Sequence, residues 1–539
     1  MRLQQAKSCD VLVVGSGIAG IMAAIRAAEQ GCSVVLVSSG PVFSGSSFYP
    51  GTWGLGLIGP ENEADQEDLV QSILQVGCGM ADETMVRTFV AGIHPAIERV
   101  KAMGIQLKTA VDQNQKDFIP CFDRKHRDWN GLLFDSVREV CQRKMQQNQI
   151  ETMPYCELLQ LVSKNQRIAG AVVRQKEQGI QLLGCKALVL ATGGYGGLFE
   201  RRLTTDDVCG VGQWLALEQG CSLVNMEFMQ MMPGYLAPCY KTIFNEKTFR
   251  YTKLTDAEGK DILAPFADAQ ALLEARSGHG PFTSRLISRQ VDLAMVEAEK
   301  RTQQGVTVTY RPEMKQNMPE FVKTYFDWLW EKKHITPDDS IQMAMFAHAA
   351  NGGICIQPNA QTEVEGLFAC GEVTGGMHGA DRIGGLSTAN GLVFGTKAGE
   401  SAAQFAAQCA ENDVAEISFE GWGIEQADTL RSKMRQIMTQ NAMVVRQGSA
   451  LQNAIDELQA MIQTCKRYDT EDAEQIASGR RLWAQMHLAQ AILRAELLRT
   501  ESRGSHYRAD YPQTENGLQK RILIRMKQGK AVPYFEQKA

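Results

Sequence analysis

The first forty residues alternate between apolar runs and glycine. Residues 9–14 are almost all apolar, and Gly15-Ser-Gly-Ile-Ala-Gly20 follows them directly. Apolar residues then recur at helical spacing over residues 18–30, and residues 33–37 form a second apolar run. A buried strand, a glycine turn, a helix and a second strand in this order predict a βαβ unit.

The glycine spacing of this turn predicts a binding site for the phosphates of a dinucleotide. Gly15 allows the tight turn, Gly17 lets a pyrophosphate approach the backbone, and Gly20 lets the helix pack closely on the strand. Ile18 and Ala19 begin the helix, whose N-terminus favours an anion. Because the strand and helix context is complete, the G-x-G-x-x-G pattern carries more weight here than it would alone.

The apolar pattern changes its period several times farther along the chain. Helices are predicted at about 65–104 and 128–149, a hairpin from strands at 168–173 and 180–183, and a separate buried strand at 186–194. Residues 226–347 have a different composition, rich in methionine and aromatic residues. From about 406 the pattern is helical, with one apolar face at Leu451, Ile455, Leu458 and Ile462 and another at Leu482, Met486, Ala489, Leu493 and Leu497.

Two later segments distinguish a flavin from a nicotinamide cofactor. The strand at 186–194 ends in Ala191-Thr-Gly-Gly194, and the strand at 366–370 runs into Gly371-Glu372. An NAD-binding Rossmann domain, the alternative, has no use for a second cofactor-facing Gly-Glu so far downstream. In order and spacing these segments resemble the FAD-binding segments of the fumarate reductase, succinate dehydrogenase and L-aspartate oxidase flavoproteins, and the resemblance covers most of the chain.

The resemblance implies an α/β fold with a Rossmann-like FAD-binding domain, an inserted α+β capping domain and a C-terminal helical bundle. The FAD-binding domain is expected to be split between residues 1–225 and 348–405. The capping domain is expected at 226–347 and the helical domain at 406–539.

The composition of the chain gives no support for binding nucleic acid, a metal ion or a membrane. The chain has 539 residues, is 44% hydrophobic and carries a net charge of −5 without long charged runs, so nothing favours nucleic acid. None of the fourteen cysteines forms a C-x-x-C pair, which leaves no predicted metal site. No signal peptide is evident before the first strand and no apolar run reaches membrane-spanning length, so we expect a soluble, cytoplasmic protein with no membrane span.

The resemblance and the glycine turn together predict which residues contact FAD. They come from the turn, the end of the second strand, the small polar segment after it, and the ends of the later strands. The predicted contacts are Gly15, Gly17, Ile18, Ala19, Gly20, Ser38, Ser39, Ser46, Ser47, Gly51, Ala191, Thr192, Gly193, Glu372 and Ser387. Since no histidine lies between Ser44 and Gly51, we expect FAD to be bound without a covalent link.

The catalytic assignments come from the resemblance. Arg289 matches the arginine that transfers the proton, with Arg285 as its rival. His348 and Arg382 match the residues that hold a substrate carboxylate, a role that suits the guanidinium fork. Glu274 and Arg276 lie in the region of the proton relay, with a spacing one residue shorter than usual.

One departure concerns substrate choice. Glu227-Phe-Met-Gln-Met-Met-Pro233 resembles a family element in which a histidine stands at the position of Met232. A thioether cannot donate a hydrogen bond to a carboxylate. The resemblance implies hydride transfer between flavin N5 and a small carboxylate, whereas Met232 favours the first alternative below. An enoate reductase for a monocarboxylate with a bulkier apolar end, and a flavoprotein subunit that docks an iron–sulfur partner, remain alternatives.

Overall fold

A computed structural model describes residues 1–52, 54–109, 127–316, 318–409 and 414–537. The strands are β1 (Arg2–Val14), β2 (Val34–Val37), β3 (Leu55–Gly59), β4 (Leu107–Thr109), β5 (Asp128–Leu132), β6 (Glu151–Met153), β7 (Cys156–Lys164), β8 (Arg167–Gln175), β9 (Gly179–Leu190), β10 (Leu223–Val224), β11 (Met229–Ala237), β12 (Thr252–Thr255), β13 (Val306–Tyr310), β14 (Ile341–Ala350), β15 (Gly353–Ile354), β16 (Leu367–Ala369), β17 (Glu416–Ser418), β18 (Trp422–Ile424), β19 (Arg467–Asp469), β20 (Ile522–Lys527) and β21 (Lys530–Phe535). The helices are α1 (Ile18–Glu29), α2 (Glu63–Val76), α3 (Glu83–Met103), α4 (Phe134–Gln147), α5 (Val211–Glu218), α6 (Ala269–Arg276), α7 (Arg289–Thr302), α8 (Pro312–Gln316), α9 (Glu320–Lys333), α10 (Leu386–Gln408), α11 (Ala427–Asn441), α12 (Gly448–Thr464) and α13 (Ala473–Leu498).

The core of the molecule is a sheet in the order β6-β2-β1-β9-β8-β7, with β16 also paired to β9. Strands β2, β1, β9 and β16 are parallel; Val13 lies opposite Leu36 on one side and Val189 on the other. These side chains are buried, as expected for parallel strands covered on both faces. The carboxyl ends of the four strands therefore meet at one edge of the sheet.

Two predicted elements are assembled differently from the sequence pattern. The predicted hairpin exists as β8 and β9, but the strands expected at 180–183 and 186–194 are one continuous strand, β9. It pairs antiparallel with β8 at residues 179–184 and parallel with β16 at residues 188–190, whereas β1 pairs parallel with it over residues 182–190. The helix predicted at 128–149 begins only at Phe134, because residues 128–132 pair with β3 and β4.

The middle of the chain forms its own sheet with helices. Its strands pair antiparallel in the order β11-β14-β13-β12, and helices α6 to α9 lie between them in sequence. Strand β14 runs to Ala350, so it carries the chain from this sheet toward the central one. This is the α+β architecture expected of the inserted segment.

The C-terminal part is mainly helical. The predicted faces of α12 and α13 are largely buried, with Leu451, Leu482 and Leu493 fully inaccessible. The antiparallel pair β18–β19, whose strands are separated in sequence by α11 and α12, and the hairpin β20–β21 were not predicted, and β20 pairs with β10 of the preceding part. The predicted fold class is confirmed, whereas the domain boundaries stay predictions. Within the described ranges, no helix is long and apolar enough to span a lipid bilayer.

The packing of α10 against α1 depends on residues without side chains. A Cβ on Gly395 would lie 2.5 Å from the carbonyl oxygen of Ala19, and one on Gly399 would lie 2.3 Å from that of Ala23. Real Cβ atoms do not come this close to a backbone oxygen, so the two helices can touch only because these positions are glycine. This contact fixes α1, and with it the start of the glycine turn.

Gly395→Ala should therefore destabilise the protein. In an open helix the same change stabilises by roughly 0.5–1 kcal/mol, but here the added methyl group would force the helices apart at a cost of roughly 1–3 kcal/mol. The matched control is Gly517→Ala, where a Cβ would meet nothing within 4 Å. Denaturant midpoints of the two variants test the prediction, and a stabilised Gly395→Ala would contradict it.

Candidate active site

A single cavity of about 820 Å³ runs along the edge where the parallel strands end. Its lining includes residues that follow β1, β2, β9 and β16, together with the start of α10 and residues from β11 and β14. Ligands of doubly wound sheets bind at this edge. The volume lies within the usual range for small-molecule and cofactor sites, roughly 300–1,000 Å³.

The glycine turn has the geometry that its spacing predicts. Gly15 has a φ of +114°, and a Cβ there would lie 2.2 Å from the carbonyl oxygen of Ala191. A Cβ on Gly20 would lie 1.8 Å from the carbonyl oxygen of Gly15. Gly17 differs, because the nearest atom to its Cβ would be Ser47 Oγ at 3.4 Å. Two glycines thus permit backbone packing, and the third leaves the cavity open beside the N-terminus of α1.

Hydroxyl groups surround this turn. Ser38 Oγ and Ser16 Oγ lie 2.7 Å apart, and Ser47 Oγ accepts a hydrogen bond from the Ile18 N–H at 3.1 Å. The buried Oγ1 of Thr192 has no hydrogen-bond partner among the described residues. A buried hydroxyl without a partner, on the wall of a cavity, indicates a polar ligand group.

Glu372 joins the walls of the cavity. Its carboxylate accepts a hydrogen bond from the Ala350 N–H at 3.0 Å and lies 3.4 Å from Ser46 Oγ. Burial raises the pKa of Glu372, against the lowering effect of backbone hydrogen bonds from Ala350 and Gly194. One side chain thus connects the ends of β14 and β9 with the polar segment after β2.

The predicted FAD residues converge on this cavity, with two exceptions. Gly20 packs behind the turn, as its predicted role requires, and Gly51 is enclosed by Lys241 and the ring of Tyr49. The others line the cavity: Gly15, Gly17, Ile18, Ala19, Ser38, Ser39, Ser46, Ser47, Ala191, Thr192, Gly193, Glu372 and Ser387. Their individual contacts with FAD stay predictions.

Of the predicted catalytic residues, Arg382 and His348 line the cavity. Arg382 lies on the loop before α10, where its Nη1 donates to the Ile383 carbonyl at 3.3 Å and its own carbonyl accepts from Gln230 Nε2 at 3.3 Å. Burial, and then the charge of Arg382, lower the pKa of His348 to about 3. His348 is therefore a neutral hydrogen-bonding group, and Arg382 supplies the positive charge.

The other three predicted catalytic residues are not among the described residues that line the cavity. Arg289 Nη1 donates to the Ser284 carbonyl at 2.7 Å. Arg276 is fully buried and bonded to Asp292 at 3.0 Å, and Glu274 lies near the surface beside Arg250. The arrangement leaves their roles in proton transfer as predictions.

Glu246 is an acidic residue of the cavity that the sequence analysis missed. Its side chain is buried, lines the cavity and has an Oε2 without a hydrogen-bond partner among the described residues. Burial raises its pKa, although a backbone hydrogen bond and the charges of Arg276 and Lys247 act the other way. One signal was available, since Glu246 is the only acid between Met232 and Asp256.

Arg285, the rival of Arg289, is held by a buried carboxylate. Its Nε donates to Asp381 Oδ2 at 2.9 Å, and Thr283 Oγ1 donates to the same oxygen at 2.7 Å. Asp381 directly precedes Arg382, so this carboxylate ties the segment at 283–285 to the loop that carries the cavity's arginine. Burial lowers the pKa of Arg285, but the Asp381 charge, the Cys78 thiol and the hydrogen bond to Asp381 together outweigh it and raise the pKa.

Comparison with known proteins decides the family. Residues 10–388, more than half of the chain, match the family model described as FAD binding domain. The chain belongs to this FAD-binding family. Residues 431–534 also match the model described as fumarate reductase flavoprotein C-term. The predicted family resemblance and the FAD cofactor are confirmed, and the protein is an FAD-dependent oxidoreductase.

Individual relatives are distant but cover almost the whole chain. The L-aspartate oxidase of Yersinia pestis is 25% identical, over 95% of this chain and 98% of its own. The fumarate reductase flavoprotein subunit of Helicobacter pylori is also 25% identical, over 94% of this chain and 81% of its own. The solved structure of Mycobacterium smegmatis Sdh1 in complex with UQ1 has the same fold, with a TM-score of 0.80, 23% identity and coverage of 99% and 95%.

The cavity fits the flavin cofactor of this family. The open side of Gly17 at the helix N-terminus suits the pyrophosphate, and Thr192, whose hydroxyl has no hydrogen-bond partner among the described residues, lines the same cavity. The residues after β1, β2, β9 and β16 would hold FAD along the sheet edge. The end of the cavity that carries Arg382, His348 and Glu246 remains for the substrate.

Gly17→Val should abolish FAD binding, because the branched side chain would occupy the open space beside the turn. We expect less than about a tenth of the wild-type flavin content. Gly517→Val, far from any neighbour, is the control. Flavin is measured in the supernatant after acid precipitation, where the wild-type protein should release all of it. Full occupancy in Gly17→Val, or yellow wild-type precipitate, would contradict the site or the non-covalent link.

Asp381 should make stability depend on pH. Burial raises its pKa from 3.8 to about 6, although Arg285 and the bond from Thr283 lower it. Because the folded state then binds the proton more tightly than the unfolded chain, stability is lost as pH rises from about 4 to about 6, by at most roughly 3 kcal/mol. Asp381→Asn cannot titrate, so its denaturant midpoints should lack this decline. Parallel pH curves for the two proteins would refute the assignment.

Proposed function

We propose that this flavoprotein transfers a hydride between FAD and a carbon atom of a small carboxylate. The observation that carries the proposal is the position of Arg382, a buried guanidinium that lines the cavity and whose charge lowers the pKa of His348 on the same wall. The similarity to L-aspartate oxidases and fumarate reductase flavoprotein subunits supports the same reaction class. FAD supplies the hydride chemistry when it is bound.

The residues around the substrate have separate roles in binding and proton transfer. Arg382 binds a carboxylate through charge-assisted hydrogen bonds and fixes its orientation. His348 is neutral, so it contributes a hydrogen bond without adding charge. Glu246, with a raised pKa and a free Oε2, can hold a proton beside the substrate.

A second candidate role concerns the electron partner. Some relatives are named as subunits, among them the flavoprotein subunit of Helicobacter pylori fumarate reductase. As the second candidate, we propose that this chain works as such a subunit and binds an iron–sulfur protein. It would then act either in the cytoplasm or beside a membrane complex. Purification of the tagged chain from its own cells separates the alternatives, because a subunit retains an iron-containing partner and a self-contained oxidoreductase does not.

Arg382→Ala should weaken carboxylate binding while leaving FAD in place. Loss of a charge-assisted hydrogen-bonding partner costs roughly 1.5–3 kcal/mol, so the Kd should rise at least about tenfold. Binding is measured from the absorbance change of the oxidised flavin on addition of a carboxylate. The control is Arg87→Ala, which removes an exposed arginine that is not among the described residues lining the cavity. Unchanged affinity in Arg382→Ala would exclude the proposed carboxylate site.

A further inference from the structure

Few positively charged side chains line the cavity. Among the described residues that line it, the arginines are Arg382 and Arg481, and there is no lysine. Arg481 pairs with Glu157 at 2.8 Å. Glu157 follows Cys156, whose N–H donates to the Ser38 carbonyl at the end of β2. Arg481 thus belongs to the region around Ser38, where the family binds the nucleoside part of FAD, and Arg382 alone faces the substrate.

An apolar wall lies at the same end of the cavity. Tyr49, Leu203, Met232 and Ile243 line the cavity and pack together with Phe346 as one small hydrophobic cluster. The Tyr49 hydroxyl donates to the Lys241 carbonyl at 2.5 Å, so its polar atom already has a partner. Met232 stands where the family element carries a histidine, and its thioether offers no donor.

The polar group beside this wall is an acid. A Cβ on Gly280 would lie 3.4 Å from Glu246 Oε1 and 3.6 Å from Met232 Cε. The carboxyl group and the thioether therefore border the same small space. A second substrate carboxylate there would lie against the apolar wall, and beyond Arg382 and Arg481 no described lining residue offers it a positive charge. Burying a charge without a partner is costly, whereas an alkyl group gains from the same surroundings.

We infer that the substrate carries a single carboxylate, held by Arg382, and an uncharged apolar tail that lies against Tyr49, Leu203, Met232 and Ile243. This inference rests on the proposed function and specifies its substrate class. It separates the protein from enzymes whose substrates carry two carboxylates. Glycine at position 280 leaves the space beside Met232 free, because any side chain at that position would enter it.

The test uses two ligands that differ only at the far end. Hex-2-enoate and hex-2-enedioate have the same length and the same carboxylate beside the double bond, but the second ends in another carboxylate. Each is titrated into the oxidised, FAD-loaded full chain at pH 7.5, and the Kd is taken from the flavin absorbance change. We expect hex-2-enoate to bind at least about tenfold more tightly.

Two variants assign the preference to the wall. Met232→His should reduce the preference for hex-2-enoate by at least about tenfold, because the imidazole can donate a hydrogen bond to the second carboxylate. Met232→Leu keeps the wall apolar and should retain the wild-type preference.

The outcomes distinguish a wrong substrate class from a wrong carboxylate site. Equal or tighter binding of hex-2-enedioate by the wild-type chain, or an unchanged preference in a flavin-loaded Met232→His, overturns the inference but leaves the carboxylate site intact. If neither ligand perturbs the flavin, the carboxylate site itself is wrong and the proposed function fails with it.

Discussion

The structure depends on backbone contacts that only glycine permits. At the start of α1, Gly15 and Gly20 bring the turn against Ala191 at the end of β9. On the opposite side of the same helix, Gly395 and Gly399 let α10 touch it. Two strands and two helices thereby meet without side chains between them, and the N-terminus of α1 is held at the sheet edge. A dinucleotide needs this close approach to backbone N–H groups.

The second level of organisation joins distant parts of the chain at that edge. Glu372 bonds to the backbone at the end of β14 and lies beside Ser46. Asp381 bonds to Thr283 and Arg285, and Gln230 bonds to the carbonyl of Arg382. The substrate end of the cavity is thus built where the inserted segment returns to the FAD-binding sheet. Its chemistry combines one buried guanidinium, one neutral imidazole and one acid with an apolar wall.

Local patterns predicted the parts of the fold whose determinants are local. The βαβ unit followed from strand, turn and helix signals within thirty residues, and α1 begins at Ile18 as expected. The sequence pattern divided β9 in two because the change of neighbour along it, from β8 at residues 179–184 to β16 at residues 188–190, leaves no period in the sequence. Residues 128–132 form a strand only because β3 and β4 lie beside them.

The site was predictable to the same degree. Many of the predicted FAD residues lie in the glycine turn or directly after strands, and such positions can be read from a pattern; their contacts with FAD stay predictions. Glu246 was missed because it reaches the cavity from the loop after β11, where nothing periodic marks its direction. Arg276 and Glu274, only two residues apart, have opposite environments: one is fully buried beside Asp292, and the other lies near the surface. Spacing along the chain does not report which side chain turns inward.

The most direct test of the account is a crystal structure of the FAD-loaded protein with hex-2-enoate bound. The account predicts FAD along the sheet edge beside Gly17, the carboxylate bonded to the Arg382 guanidinium, and the alkyl tail against Met232 and Ile243. A carboxylate bound away from Arg382, or an alkyl tail directed away from Met232, would contradict it.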